Sequence, residues 1–271
     1  MIRKCFTVNA MRTSEEIASY EEHLIKTNIY KGCEIFYPYN VSEEQYNNYV
    51  EGIKSYLKYE DFDITCHLPH GKDNNIACEN NIDEVMERLY KAIDFSTMFN
   101  VDRVTLHPGH SENGEEREVC KMRSISNVKK LAQYASKYNI TIMIENLVGA
   151  QELCLTAQEM LDYLSHLEGL NVKVTFDCGH CHASHTENKT TIDDYVVSLK
   201  DYIAHIHLSD NHGDRDEHAK LGAGTIDFVS YFSKLKEIDY QGLYSSEVLF
   251  KSYTDLLETS NIIDKIMKEV K

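Results

Sequence analysis

Short apolar, β-branched runs alternate with longer stretches whose apolar residues recur every three to four positions, and the alternation repeats eight times along the chain. The runs near 2–8, 32–36, 62–67, 101–107, 140–145, 172–177, 203–208 and 242–248 read as strands. Stretches such as 83–99 and 116–137 read as the helices between them. Along the first of these, beginning one residue before it, Ile82, Val85, Met86, Leu89 and Ile93 make an apolar stripe at helical spacing, the face a helix turns toward a sheet. No Pro/Ser-rich linker or low-complexity break interrupts the order, so 1–271 reads as one domain. Eight such units predict an α/β fold of one architecture, a single (β/α)8 TIM barrel.

Side chains alternate across a strand, so one parity faces the helices and the other the barrel interior. Ile64 and Cys66, Val104 and Leu106, Ile142 and Ile144, Val174 and Phe176, and Ile206 and Leu208 share an apolar parity. The opposite parity runs Thr65 then His67, Thr105 then His107, Met143 then Glu145, Thr175 then Asp177, His205 then His207, and Ser245 then Glu247. Six strands therefore end inward on His, Asp or Glu, and in such a barrel those ends form one mouth. Buried carboxylates cost several kcal/mol unless paired or bound to a metal, which argues against coincidence. Three more candidates lie on loops just beyond: His180 in DCGHCH, and Asp216 with His218 in DRDEHAKLGAG. His67, His107, Glu145, Asp177, His180, His207, Asp216, His218 and Glu247 are thus candidate metal ligands. Imidazole mixed with carboxylate suits Zn²⁺, Mn²⁺ or Fe²⁺ better than Ca²⁺, with Zn²⁺ or Mn²⁺ expected first, and the set has room for one to three divalent ions.

The composition narrows the partners. With 28 Lys and Arg against 44 Asp and Glu, the net charge of −16 disfavours a broad electrostatic grip on a phosphate backbone. At 42% hydrophobic and 27% charged residues, disordered and disulfide-scaffold classes are excluded. No run approaches the ~20 apolar residues of a membrane span, and the polar start with eight cysteines is expected of a cytoplasmic protein with reduced thiols. The CGHC at Cys178 to Cys181 spells a thiol-redox motif, but Asp177 and His180 already account for that spacing. Gly222 and Gly224 are expected to allow a tight turn over the mouth. Oligomeric state stays open.

The pieces HLPH at His67, TLHPG at His107, IEN at Glu145, FDCGH at Asp177, HIHLSD at His207, DEHAKLGAGTIDF at Asp216 and SSEV at Glu247 resemble the xylose isomerase-like TIM barrels. That superfamily, also called AP endonuclease family 2, includes endonuclease IV and the sugar phosphate isomerases and epimerases. By resemblance to endonuclease IV, His67, His107 and Glu145 form one metal site, Glu145, Asp177, His207 and Glu247 a second, and His180, Asp216 and His218 a third. The aromatic wedge and the arginine with which endonuclease IV distorts DNA are missing, since those regions read His70-Gly71-Lys72 and IFYPYNVSEEQ. GCEIF with Glu34, ENLVG leading to LTAQEMLDYL, the DCGH form and GAGTIDF resemble the sugar branch. That branch implies a metal-dependent isomerase or epimerase acting on a sugar or sugar phosphate by proton transfer through a metal-stabilised enediolate. Glu145 and Glu247 would move the proton and His180 would orient a hydroxyl, with His70, Arg215 and Lys220 as substrate contacts, the two cations for a phosphate. The alternative is endonuclease IV-like hydrolysis of abasic DNA.

Overall fold

The computed structural model describes residues 2–112, 114–188 and 190–270. Strands β1 (Arg3–Val8), β2 (Gly32–Phe36), β3 (Asp63–His67), β4 (Arg103–Leu106), β5 (Thr141–Glu145), β6 (Val172–Asp177), β7 (Ile203–Leu208) and β8 (Leu243–Ser246) pair in chain order. All neighbours are parallel, and β8 returns to β1 with Arg3 opposite Leu243, which closes the barrel. The expected TIM barrel is the observed fold.

Helices cover the outside: α1 (Ser14–Tyr20), α2 (Glu43–Lys54), α3 (Ile82–Thr97), α4 (Arg117–Ala135), α5 (Ala157–Ser165), α6 (Cys178–Asn188), α7 (Ile192–Ser198), α8 (Phe228–Glu237) and α9 (Tyr253–Glu269). Several start where a short polar side chain takes an otherwise unpaired amide: Thr13 before α1, Ser42 before α2 and Thr191 before α7 each complete a capping box. Two strands are shorter than the sequence pattern suggests. β4 stops at Leu106 because the next residues are His107 and Pro108, and proline has no N–H for the ladder. β8 stops at Ser246, after which Glu247 still donates its amide to Leu208 but Leu249 bonds the loop residue His218.

The outward parity is apolar and buried as expected, from Ile64 through Val104, Ile142 and Val174 to Ile206. The interior is not the usual packing of Val, Ile and Leu. Glu34, Thr65, Thr105, Met143, Thr175, His205 and Ser245 fill it, all fully buried. Thr105 and Thr175 share a hydroxyl hydrogen bond of 3.0 Å across this layer. A polar floor therefore lies under the mouth.

All eight cysteines are buried and unbridged, and burial pushes the Cys178 and Cys181 thiols well up. Neither offers a thiolate, so the CGHC spelling is a consequence of the Asp177 and His180 positions. Among the described residues no helix is long and apolar enough to cross a membrane.

The loop between β7 and α8 is built around Asp210, whose carboxylate accepts amides from Asn211, Gly222, Gly224 and Ile226. A Cβ on Gly224 would lie 2.2 Å from the Asn211 carbonyl oxygen and 2.5 Å from Asp210 Oδ1. Gly224→Ala is expected to destabilise the protein by about 1–3 kcal/mol, a fall in Tm of roughly 3–10 °C in thermal unfolding. An unchanged Tm would show that this loop yields freely.

Candidate metal centre

The strand ends, the first turn of α6 and the loop between β7 and α8 bring the nine expected ligands, four carboxylates and five imidazoles, into one continuous cluster. Glu145, the last residue of β5, lies at its middle. Its Oε2 is 3.0 Å from His107 Nε2 and 3.3 Å from His67 Nε2, while Oε1 is 3.0 Å from His207 Nδ1 and 3.5 Å from His180 Nδ1. His207 Nδ1 is also 2.9 Å from Glu247 Oε2 and 3.6 Å from Asp177 Oδ2. Asp216 Oδ2 meets His218 Nε2 at 2.8 Å and His180 Nε2 at 3.4 Å. Within each of three groups, potential donor atoms lie within 4.8 Å of one another: His67, His107 and Glu145; Glu145, Asp177, His207 and Glu247; and His180, Asp216 and His218. A fourth such group, Glu34 with His205 and His207, lies in the floor.

The surroundings aim these side chains. A carbonyl only accepts, so His67 Nδ1 donates to Leu68 O at 2.8 Å, His180 Nδ1 to Asn146 O at 2.9 Å and His218 Nδ1 to Glu247 O at 2.8 Å. Each Nε2 is thereby left facing the cluster. Asn146 also exchanges two hydrogen bonds with the Asp177 backbone, 2.9 and 2.8 Å, which stitches β5 to β6 at the mouth. Asp177 Oδ1 accepts the His180 amide at 2.7 Å and so anchors the first turn of α6. Gly179 in that turn has no room for a side chain, since a Cβ would stand 2.2 Å from Ser209 Oγ. His218 takes a left-handed backbone with φ of 45°, unusual for a residue with a side chain, and the Leu249 amide holds it there at 2.9 Å.

Electrostatics within the cluster are strongly coupled. Burial alone would raise the Glu145 carboxyl, but the His207 and His107 imidazoles hold it well below the usual range. Glu247 is lowered by His207 against the same burial. Burial alone would lower His207 and His180, but Glu34, Glu247 and Glu145 lift the first, and Asp177, Asp216 and Glu145 the second, well above an ordinary imidazole. His218 is pushed up to about 9, the Asp216 hydrogen bond outweighing burial. A divalent ion would take the place of protons held in this way. Two further observations fit an ion. Asp177 Oδ2 and Asp216 Oδ1 are buried and accept no hydrogen bond, and Glu247 Oε2 touches His207 without hydrogen-bond alignment. Such oxygens need a partner, and mixed imidazole and carboxylate donors are what Zn²⁺ or Mn²⁺ accepts.

The expected substrate contacts divide. The His70 ring lies 4.8 Å from that of His67 and 4.7 Å from that of His107, and desolvation together with those two imidazoles pushes it down to about 3. It is a neutral group at the edge of the cluster. Arg215 instead pairs with Glu217 at 3.0 Å, and Lys220 with Asp255 at 2.8 Å and Glu258 at 2.9 Å. Both cations are thus engaged by carboxylates of their own. Beside His107 opens a cavity of about 650 Å³ with Lys72, Asn75, His110, Gln151 and Glu152 in its wall, room enough for a monosaccharide. Glu34 and Asn146 are the contributors that residue patterns left unassigned; the inward parity of β2 and the position after Glu145 were the available signals.

The family model described as "Xylose isomerase-like TIM barrel" matches residues 24–263. Among known proteins, the chain is 27% identical over 217 residues to the uncharacterized protein MJ1311 of Methanocaldococcus jannaschii, covering 79% of this chain and 72% of that one. It is 29% identical over 133 residues to an L-ribulose 3-epimerase of Methylomonas sp., covering 46% and 43%. A solved D-tagatose 3-epimerase-like protein superposes with a TM-score of 0.79 at 25% identity, covering 98% of this chain and 97% of that one.

Proposed function

The chain belongs to the xylose isomerase-like TIM barrel family, and from that premise we propose that it is a divalent-metal-dependent isomerase or epimerase of a small sugar or sugar phosphate. The observation that carries this reading is the group formed by Glu145, Asp177, His207 and Glu247, in which two glutamates approach one imidazole nitrogen at 3.0 and 2.9 Å. An ion held by these four residues supplies Lewis acidity, which makes the hydrogen beside a sugar carbonyl more acidic. Glu145 and Glu247 are both held ionised, so each is ready to accept a proton. One takes the proton from the carbon next to the carbonyl; the other returns a proton, and delivery to the opposite face inverts that carbon. His180 orients a substrate hydroxyl through Nε2, and neutral His70 forms the rim beside it. The likeness to an L-ribulose 3-epimerase and to a D-tagatose 3-epimerase-like protein supports a sugar substrate. The eight buried free thiols fit work in a reducing compartment, the cytoplasm.

A second reading draws on the His180, Asp216 and His218 group, which lies outside the four ligands and of which the sugar chemistry uses His180 alone. With His67, His107 and Glu145 it would let up to three ions act on a phosphodiester of abasic DNA. The net charge of −16 favours the sugar.

Two tests separate the readings. Incubation with a panel of ketoses and aldoses in D₂O, with Mn²⁺ or Zn²⁺ added, is expected to put solvent deuterium on the carbon next to the carbonyl. Cleavage of abasic duplex at low salt, with no exchange into any sugar, would replace the first reading by the second. His218→Ala is expected to cost turnover of the sugar less than about tenfold, because it lies outside the four-ligand group; a hydrolase needing all its ions would lose on the order of 100-fold or more.

A further inference from the structure

We infer that Glu34 is a positioning residue of this centre, whose carboxylate fixes the tautomer and the aim of His207 so that Nδ1 is the atom offered to the ion. The inference rests on the metal reading of the mouth and is independent of which substrate is turned over.

Glu34 is the inward residue at the middle of β2 and is fully buried, in a layer where barrels ordinarily pack aliphatic side chains. Burying a charge there costs several kcal/mol unless the charge is used. No lysine or arginine accompanies it among its hydrogen-bond partners, which are four donors from three other strands, β4, β7 and β8. Thr105 Oγ1 donates to Oε1 at 3.1 Å, and Oε2 accepts from Ser245 Oγ at 3.0 Å, His205 Nε2 at 3.1 Å and His207 Nε2 at 2.9 Å. Thr105 is tied in turn to Thr175. The carboxylate is therefore braced against rotation.

An ionised carboxylate only accepts, so His207 Nε2 carries its proton toward Glu34. The remaining ring nitrogen, Nδ1, points at Glu145, Glu247 and Asp177. An ion held among those three carboxylates would meet His207 at Nδ1, the nitrogen that Glu34 does not engage. This is the reverse of His67, His180 and His218, each of which gives Nδ1–H to a neutral backbone carbonyl. His207 alone among these four is backed by an anion, and an anionic partner makes an imidazole a stronger donor to a metal. His205 braces the same oxygen, and its own Nδ1 is buried with no partner.

Glu34→Gln keeps the side-chain length and an acceptor oxygen but removes the charge. In the full-length protein, titration with Zn²⁺ or Mn²⁺ by calorimetry or chelator competition is expected to show affinity weakened by about 10–100-fold. The Tm measured in chelator is expected to stay close to that of the parent. Long-range ¹H–¹⁵N spectra of the Zn²⁺-loaded parent protein, labelled at histidine, are expected to place the retained His207 proton on Nε2. A folded Glu34→Gln variant that binds the ion as tightly as the parent overturns the proposal, and so does a His207 proton found on Nδ1. The spectroscopic result decides the matter even where the variant does not fold. A folded parent that binds neither ion overturns the metal centre itself and this inference with it, an outcome distinct from equal binding by parent and variant.

Discussion

Glu145→Gln is expected to bring turnover down by at least about 10³-fold and to strip the protein of bound metal. The side chain is fully buried, and both of its oxygens are committed, Oε2 to His107 and His67 and Oε1 to His207 and His180. An amide of the same shape can accept on one side only, and it turns an NH₂ toward imidazole nitrogens on the other. It also removes the one anionic ligand shared by two of the candidate metal groups. Under the proposed chemistry the same carboxylate moves the proton, so ion binding and proton transfer fail together. The measurement is kcat/KM beside ion content per chain, with thermal unfolding in chelator to show that the variant is folded. A variant that keeps both its ion and its activity would refute the assignment of this site.

The fold was legible because two periods coincide in this chain. Period-two strands placed Ile64, Val104, Ile142, Val174 and Ile206 on one side and the ligand row on the other, and the register of the closed sheet puts both where parity said they would be. The ligand row was legible for a further reason: six strands ending on His, Asp or Glu is a pattern that survives small errors in strand ends. Contacts between distant segments were not. The partners of Lys220 are Asp255 and Glu258 on α9, and nothing local to DEHAKLGAG indicates them. Glu34 reads as one acidic residue in a short strand until the barrel closes and sets it against His205 and His207, 171 and 173 positions away. Asn146 does its work through backbone groups of the next strand, which residue type alone does not report.

Withdrawal of metal should be the other large effect, on stability as well as on turnover. Glu145 and Asp177 are fully buried, Glu247 lies close beside them, and Asp177 Oδ2 is without a hydrogen bond, so an ion here neutralises charge that the fold has already taken out of water. A ligand that binds only the folded state stabilises it by about 4 kcal/mol when free ligand stands at 1,000 times Kd. For a chain of this size each kcal/mol moves Tm by roughly 2–4 °C, so chelation is expected to lower Tm by on the order of 10 °C per tightly held ion and to take turnover to background. Add-back of Mn²⁺ or Zn²⁺ should restore both in the same titration. The number of equivalents needed then speaks to mechanism: one matches the four-ligand group and proton transfer, whereas three match the full set and favour the hydrolytic reading. A Tm that does not move in chelator, with removal of the ion verified by mass spectrometry, would mean that the carboxylates and imidazoles of the mouth satisfy one another unaided, and the metal centre would have to be given up.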